Sequence, residues 1–128
     1  MEIAAGEPVP AEKDENLAYV EIPRIFLKDD ATKYCVFRIN GHSMEPEINH
    51  NDIVVIRYKH EWESMNGKIC AIRTDDGITL KKVQMAPEKN QVMLLPFNHA
   101  YNVILIDEES NEQAFLVGVM ALQFRVCE

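Results

Sequence analysis

Short runs of apolar and β-branched residues, separated by turn-forming residues, recur along most of the chain. Runs of about four to eight such residues are typical of β-strands, and no longer apolar repeat of helical period interrupts them. The pattern predicts a mostly β fold of strongly bent antiparallel sheets with little helix. The predicted strands are residues 17–22, 33–39, 52–58, 68–73, 78–84, 91–95, 103–106 and 114–125.

Two glycine-containing segments predict tight turns between strands. Residues 65–67 (MNG) and 75–77 (DDG) both have the composition of hairpin turns. A single helical turn is predicted to begin at Ser43, because Glu45 and Pro46 suit the first positions of a helix.

The first 16 residues are polar and contain two prolines, so residues 1–16 are predicted to be a flexible arm and residues 17–128 a single domain. A chain of 128 residues with 47% apolar content is long enough to bury a core of its own. No apolar run approaches the roughly 20 residues that span a bilayer, and the acidic beginning lacks the basic region of a signal peptide. We therefore expect a cytoplasmic protein without a membrane partner.

Three cysteines, Cys35, Cys70 and Cys127, are an odd number without metal-ligand spacing. Reduced thiols are the simplest interpretation, and Cys35 and Cys70 lie in apolar patterns that predict core positions. We expect no metal and no other cofactor.

The formal net charge of −8 bears on nucleic-acid binding, because an acidic surface is repelled by the phosphate backbone. Basic residues are scattered, and no helix-turn-helix pattern is found. We therefore expect no direct DNA binding by this chain.

Candidate chemistry centres on residues 41–46 (GHSMEP), whose Ser43 stands 38 positions before Lys81. A serine hydroxyl needs a base to become a nucleophile. His42 is adjacent to Ser43 in sequence and would point to the opposite face of an extended chain, so it is not the expected base. Glu45 stands where the Gly-x-Ser-x-Gly motif has its second glycine, so that motif is absent. A lysine base is therefore the alternative to a plain turn serine. Strand alternation by itself puts Lys82, rather than Lys81, on the side of the apolar residues.

Three segments, in order and at similar spacing, resemble the LexA-like self-cleaving domain of bacterial SOS and phage repressors, which is shared by the UmuD proteins. They are residues 3–8 (IAAGEP), 41–46 (GHSMEP) and 78–81 (ITLK), and the likeness continues through 94–96 (LLP) and 117–120 (VGVM). Bacterial signal peptidases share the Ser-Met-x-Pro pattern, but they work at a membrane and this sequence shows no anchor.

The resemblance implies a catalytic dyad of Ser43 and Lys81 that cleaves the chain's own Ala5–Gly6 bond. It selects Lys81 over Lys82, because the family pattern is threonine, apolar residue, lysine, basic residue. Backbone N–H groups around Ser43, at His42 and Met44, would hold the oxyanion. The sequence departs from the family where Asn51 replaces the usual glycine before Asp52; asparagine tolerates a left-handed backbone, so we expect the turn to persist.

The resemblance also implies a biological role. The chain would be the C-terminal domain of a LexA-type or phage-type transcriptional repressor that cleaves itself in the SOS response, with a RecA-nucleoprotein filament as co-protease and a missing N-terminal domain to bind DNA. We expect a homodimer through the apolar final strand, residues 115–126, as an open edge. The alternatives are a dimerisation module with little cleavage and a UmuD-like polymerase accessory protein, which the short arm disfavours.

Overall fold

Nine strands account for much of the chain described by the computed structural model, which covers residues 7–10, 19–75, 77–86, 91–107 and 114–127. The Ala5–Gly6 bond lies outside the described residues. The strands are β1 Glu7–Pro10, β2 Tyr19–Ile22, β3 Tyr34–Arg38, β4 Ile53–Tyr58, β5 Ile69–Thr74, β6 Gly77–Ala86, β7 Gln91–Leu95, β8 Ile104–Ile106 and β9 Phe115–Phe124. Three short 3-10 helices, which the sequence did not predict, are Arg24–Phe26, Ala31–Lys33 and Trp62–Met65.

Seven of these strands form one antiparallel sheet in the order β3-β4-β9-β5-β6-β7-β8, and β1 pairs separately with β2. The mostly antiparallel fold is therefore as predicted, with the eight predicted strands at or close to their expected positions. β1 falls within the predicted flexible arm. Pro8 and Pro10 are two residues apart, so the backbone nitrogens of both can lie on the side of β1 that does not pair with β2. Proline is tolerated there, because no N–H donor is needed on that side.

β4 is buried on both faces, which explains its unbroken apolar sequence. Val54 and Ile56 lie in a first core cluster, whereas Val55 lies in a second one with Tyr34 and Val36. A third cluster is centred on β5, β6 and β7 and contains Cys70, Ile72, Val83 and Leu94. Cys35 and Cys70 are fully buried, as predicted.

The two predicted hairpin turns have different outcomes. β5 and β6 pair antiparallel, with Thr74 opposite Gly77, as a hairpin requires, while Asp76 of the predicted turn lies outside the described residues. Residues 65–68 form a β-turn instead of a hairpin, since Lys68 N–H donates to Met65 O at 3.0 Å while β9 lies between β4 and β5. Gly67, at φ +80, supplies the positive φ that a type II turn requires at its third residue.

β9 crosses the middle of the sheet and is kinked by two β-bulges. Gly118 lies where β9 meets β4, and an added Cβ would come within 2.1 Å of the Arg57 carbonyl oxygen. The open-edge prediction holds for only part of the strand. Gly118 and Val119 are paired on both sides. Met120, Leu122, Gln123 and Phe124 pair with β4 alone among the described strands, and Ala121 is the extra residue of a bulge.

Candidate active site

Ser43 lies in the connection between β3 and β4, residues 39–52, which we call the serine loop. The loop is closed at its base, because Ile39 N–H donates to Asp52 O and Asn51 N–H donates to Ile39 O, each at 2.8 Å. Asn51 has φ 73, so the predicted left-handed turn is confirmed. The loop therefore leaves and re-enters the sheet at one fixed place.

Two apolar side chains anchor the serine loop in the first core cluster. Met44 and Ile48 are 3% and 1% exposed and share this cluster with Leu80 of β6. Since Leu80 directly precedes Lys81, the packing that buries the loop also brings Ser43 to the strand that carries the lysine.

The predicted helical turn at Ser43 is only partly formed. Ile48 N–H donates to Met44 O at 2.9 Å, in the helical i to i+4 pattern. The Ser43 carbonyl, which would continue such a helix, instead accepts the backbone N–H of Asn98 at 2.9 Å. Tertiary contacts thus replace the remaining helical hydrogen bonds.

Lys81 Nζ lies 2.8 Å from Ser43 Oγ. The lysine side chain is 5% exposed, and Nζ also contacts Thr79 Oγ1 at 2.7 Å and Leu80 O at 3.2 Å. No carboxylate pairs with it in the described part of the chain. Burial therefore lowers the pKa of Lys81, because desolvation penalises the ammonium form.

The three Nζ contacts match the three N–H donors of the ammonium form, and they also suit the neutral amine, in which the contact with Ser43 reverses direction. Two N–H bonds can be donated to Thr79 Oγ1 and Leu80 O, which leaves the lone pair for the Ser43 hydroxyl proton. Thr79 lies two positions before Lys81 and therefore on the same face of the strand, but the sequence did not assign it this contact. The arrangement can accept a proton from Ser43, which is the requirement for a base.

Lys82, the alternative lysine, lies elsewhere. It is half-buried on β6, opposite Ile69 of β5 and Leu95 of β7. Strict alternation favoured Lys82 because it considered only the residues of the same strand. The long side chain of Lys81 reaches the serine loop, a contact that no within-strand pattern contains.

The backbone N–H groups of His42, Ser43 and Met44 donate no hydrogen bond to any residue that the structure describes. The His42 imidazole is on the surface, with Nδ1 at 2.5 Å from Glu45 Oε1, a contact that lowers the pKa of Glu45. The His42 ring also stacks on His50. His42 is thus available to the site through its backbone, and its side chain has other partners.

Two contacts of the serine loop were not predicted from the sequence. Asn98, in the segment after β7, donates through Nδ2 to His42 O at 3.0 Å in addition to its backbone bond. At the base of the loop, buried Asp52 accepts hydrogen bonds from Arg125, Gln123 and Asn49 N–H. The likeness at residues 94–96 was the sole sequence signal near Asn98.

None of the helices in the described ranges is long and apolar enough to cross a membrane. The family model described as Peptidase S24-like matches residues 1–121, which is nearly the whole chain. This is the C-terminal peptidase family of LexA and UmuD, and membership implies an activity of the serine peptidase kind. On this match, the chain belongs to the Peptidase S24-like family.

Proposed function

We propose that this chain is the self-cleaving domain of a LexA-type or phage-type repressor, and that Ser43 and Lys81 cleave the Ala5–Gly6 bond. The observation that carries the proposal is the 2.8 Å contact between Ser43 Oγ and the buried Lys81 Nζ, which has no carboxylate partner among the described residues. A buried amine without a carboxylate partner is the environment in which lysine becomes a base near neutral pH.

The reaction follows from that contact. Neutral Lys81 takes the hydroxyl proton while Ser43 Oγ bonds to the Ala5 carbonyl carbon, and the carbonyl oxygen becomes the oxyanion. Collapse of this intermediate breaks the Ala5–Gly6 bond, and the Lys81 ammonium returns its proton to the departing Gly6 nitrogen. Water then hydrolyses the Ser43 ester, with Lys81 again as the base, and regenerates the serine.

Substrate and catalyst belong to one chain, so docking of the arm contributes to the rate. β1 begins directly after Gly6, and its pairing with β2 defines where the arm joins the domain. A co-protease such as a RecA-nucleoprotein filament would accelerate cleavage by favouring the docked arm. In this proposal the domain acts in the cytoplasm, and DNA is bound by a separate N-terminal domain.

Intact-mass spectrometry tests the dyad and the bond together. The purified chain is incubated between pH 7 and pH 10, and we expect loss of residues 1–5 at a rate that rises with pH as Lys81 loses its proton. Ser43→Ala and Lys81→Ala should abolish the loss. Lys82→Ala is the matched control on the same strand and should cleave like the parent chain.

Three results would refute all or part of this proposal in different ways. An unchanged mass at every pH, with and without an activated RecA filament, would remove self-cleavage. Loss of cleavage in Lys82→Ala, with cleavage retained in Lys81→Ala, would show that the wrong lysine was assigned. Cleavage at another bond would retain the dyad and reject Ala5–Gly6.

An association role is the second candidate function, and the partly unpaired β9 favours it. Among the described strands, Met120, Leu122, Gln123 and Phe124 pair on one side only, with β4, and the exposed Val126 follows them. A second copy could pair with this free side and form a twofold dimer. Val126→Glu should then shift the sedimentation coefficient from dimer to monomer, whereas Val103→Glu, a change at another exposed valine, should not. A monomeric parent chain at high concentration would rule out the dimer.

A further inference from the structure

Asn98 holds the two carbonyl groups that flank the nucleophile. Its Nδ2 donates to His42 O at 3.0 Å, and its backbone N–H donates to Ser43 O at 2.9 Å. His42 O also accepts the Glu45 N–H at 3.2 Å, a bond within the loop, whereas Asn98 binds both carbonyls from outside it. The Asn98 side chain is itself fixed, because its Oδ1 accepts the Ala100 N–H at 3.0 Å. One residue thus restrains two consecutive peptide groups of the serine loop.

The orientation of these carbonyls determines where the N–H groups point. In a trans peptide the C=O and N–H bonds lie on opposite sides of the plane. His42 O shares its peptide group with Ser43 N–H, and Ser43 O shares its peptide group with Met44 N–H. Because Asn98 binds both carbonyls, both N–H groups point away from Asn98, and neither donates to another described residue.

We infer that Asn98 is a positioning residue that preorganises the Ser43 and Met44 N–H groups as the oxyanion hole. Two neighbouring N–H groups that point to the same side can bind an anion together, and donors fixed before the reaction need no reorganisation when charge develops. The inference rests on the proposed self-cleavage, since the oxyanion belongs to that reaction. Asn98 acts through the backbone of the serine loop and does not touch the reacting atoms.

Asn98→Asp is the sharpest test, because it keeps the shape and the backbone N–H but replaces the Nδ2 donor with an oxygen that repels His42 O. We expect the plateau rate of self-cleavage at high pH to fall about tenfold, less than the roughly 100- to 1000-fold loss when an oxyanion donor is removed. The pH midpoint is compared in Asn98→Ala, because the carboxylate of Asn98→Asp would itself raise the pKa of Lys81. In Asn98→Ala the midpoint should stay unchanged, because Lys81 keeps its surroundings. Asn102→Asp, the same change at an exposed site further along the same segment, should leave both quantities unchanged.

A second measurement does not depend on cleavage. In a Ser43→Ala background, the backbone ¹⁵N order parameters at positions 43 and 44 should drop from rigid values near ~0.85 when Asn98→Asp is added. They should not change with Asn102→Asp. If Asn98→Asp does not fold, Asn98→Ala lacks the added repulsion and should produce the same two effects.

The inference is overturned if the plateau rate of Asn98→Asp stays within about twofold of the parent, if the pH midpoint of Asn98→Ala moves, or if residues 43 and 44 remain rigid. Failure of the proposed function looks different. In that case the parent chain never cleaves, and the order parameters alone decide whether Asn98 holds the serine loop.

Discussion

Asp52→Asn should destabilise the domain by an amount that depends on pH. Asp52 is 2% exposed, and Arg125 donates to both of its carboxylate oxygens at 2.9 Å. Gln123 and the Asn49 N–H add further hydrogen bonds. These contacts join the end of β9 to the base of the serine loop and favour the ionised carboxylate.

Hydrogen bonding from Arg125, assisted by Asn49 and Gln123, lowers the pKa of Asp52 from 3.8 to about 2. At about 1.4 kcal/mol per pKa unit, this shift corresponds to roughly 2 kcal/mol of folding free energy. The Arg125 side chain is 41% exposed, so solvent screening reduces the expected contribution to about 1–2 kcal/mol.

The sign follows from the lowered pKa. Above pH 3.8, the unfolded-state value, both states are ionised and the contribution is fully present. As the pH falls from there to about 2, the unfolded chain takes up a proton before the folded chain does, and the contribution is lost. The stability difference between the parent and Asp52→Asn should therefore shrink over this acidic range.

Urea unfolding at a series of pH values from neutral to acidic measures this difference, in a Ser43→Ala background that keeps the chain intact. Asp30→Asn is the control, because Asp30 is exposed and makes no side-chain capping bond. A difference of the same size at pH 7 and at the acidic end would refute the linkage argument. Equal stability of the two chains at pH 7 would refute the contribution itself.

Three further predictions concern packing and thiol chemistry. Gly118→Ala should lower the unfolding free energy by about 1–3 kcal/mol or more, because its Cβ would overlap a backbone carbonyl of β4; unchanged urea midpoints would contradict this. Leu94→Ala, at a fully buried site, should lower the unfolding free energy by about 2–5 kcal/mol. Leu105→Ala, at an exposed site, should lower it by less than about 0.5 kcal/mol, and equal losses would contradict the difference in burial. Burial raises the pKa of Cys70 to about 11, so a thiol reagent at neutral pH should label exposed Cys127 first. Peptide mapping measures the labelled positions, and preferential labelling of Cys70 would contradict this.

The strands and some turns were predictable because they depend on local sequence. Alternating apolar residues indicate which segments are strands, and the positive φ of Asn51 follows from a side chain that tolerates a left-handed backbone. β1 was missed because its polar, proline-containing sequence has no apolar alternation. The hairpin predicted at residues 65–67 was wrong because a turn motif does not specify which strands it joins.

The sequence by itself thus determined the fold class and the family, whose likeness covers about nine-tenths of the chain. It also supplied the residue types that a serine peptidase needs. Only the tertiary structure decided that Lys81 contacts Ser43 while Lys82 does not, and that Asn98 binds the carbonyls beside the nucleophile. The physical reason is that these contacts join residues from separate parts of the chain. They depend on sheet order and on the burial of Met44 beside Leu80, which no local periodicity encodes.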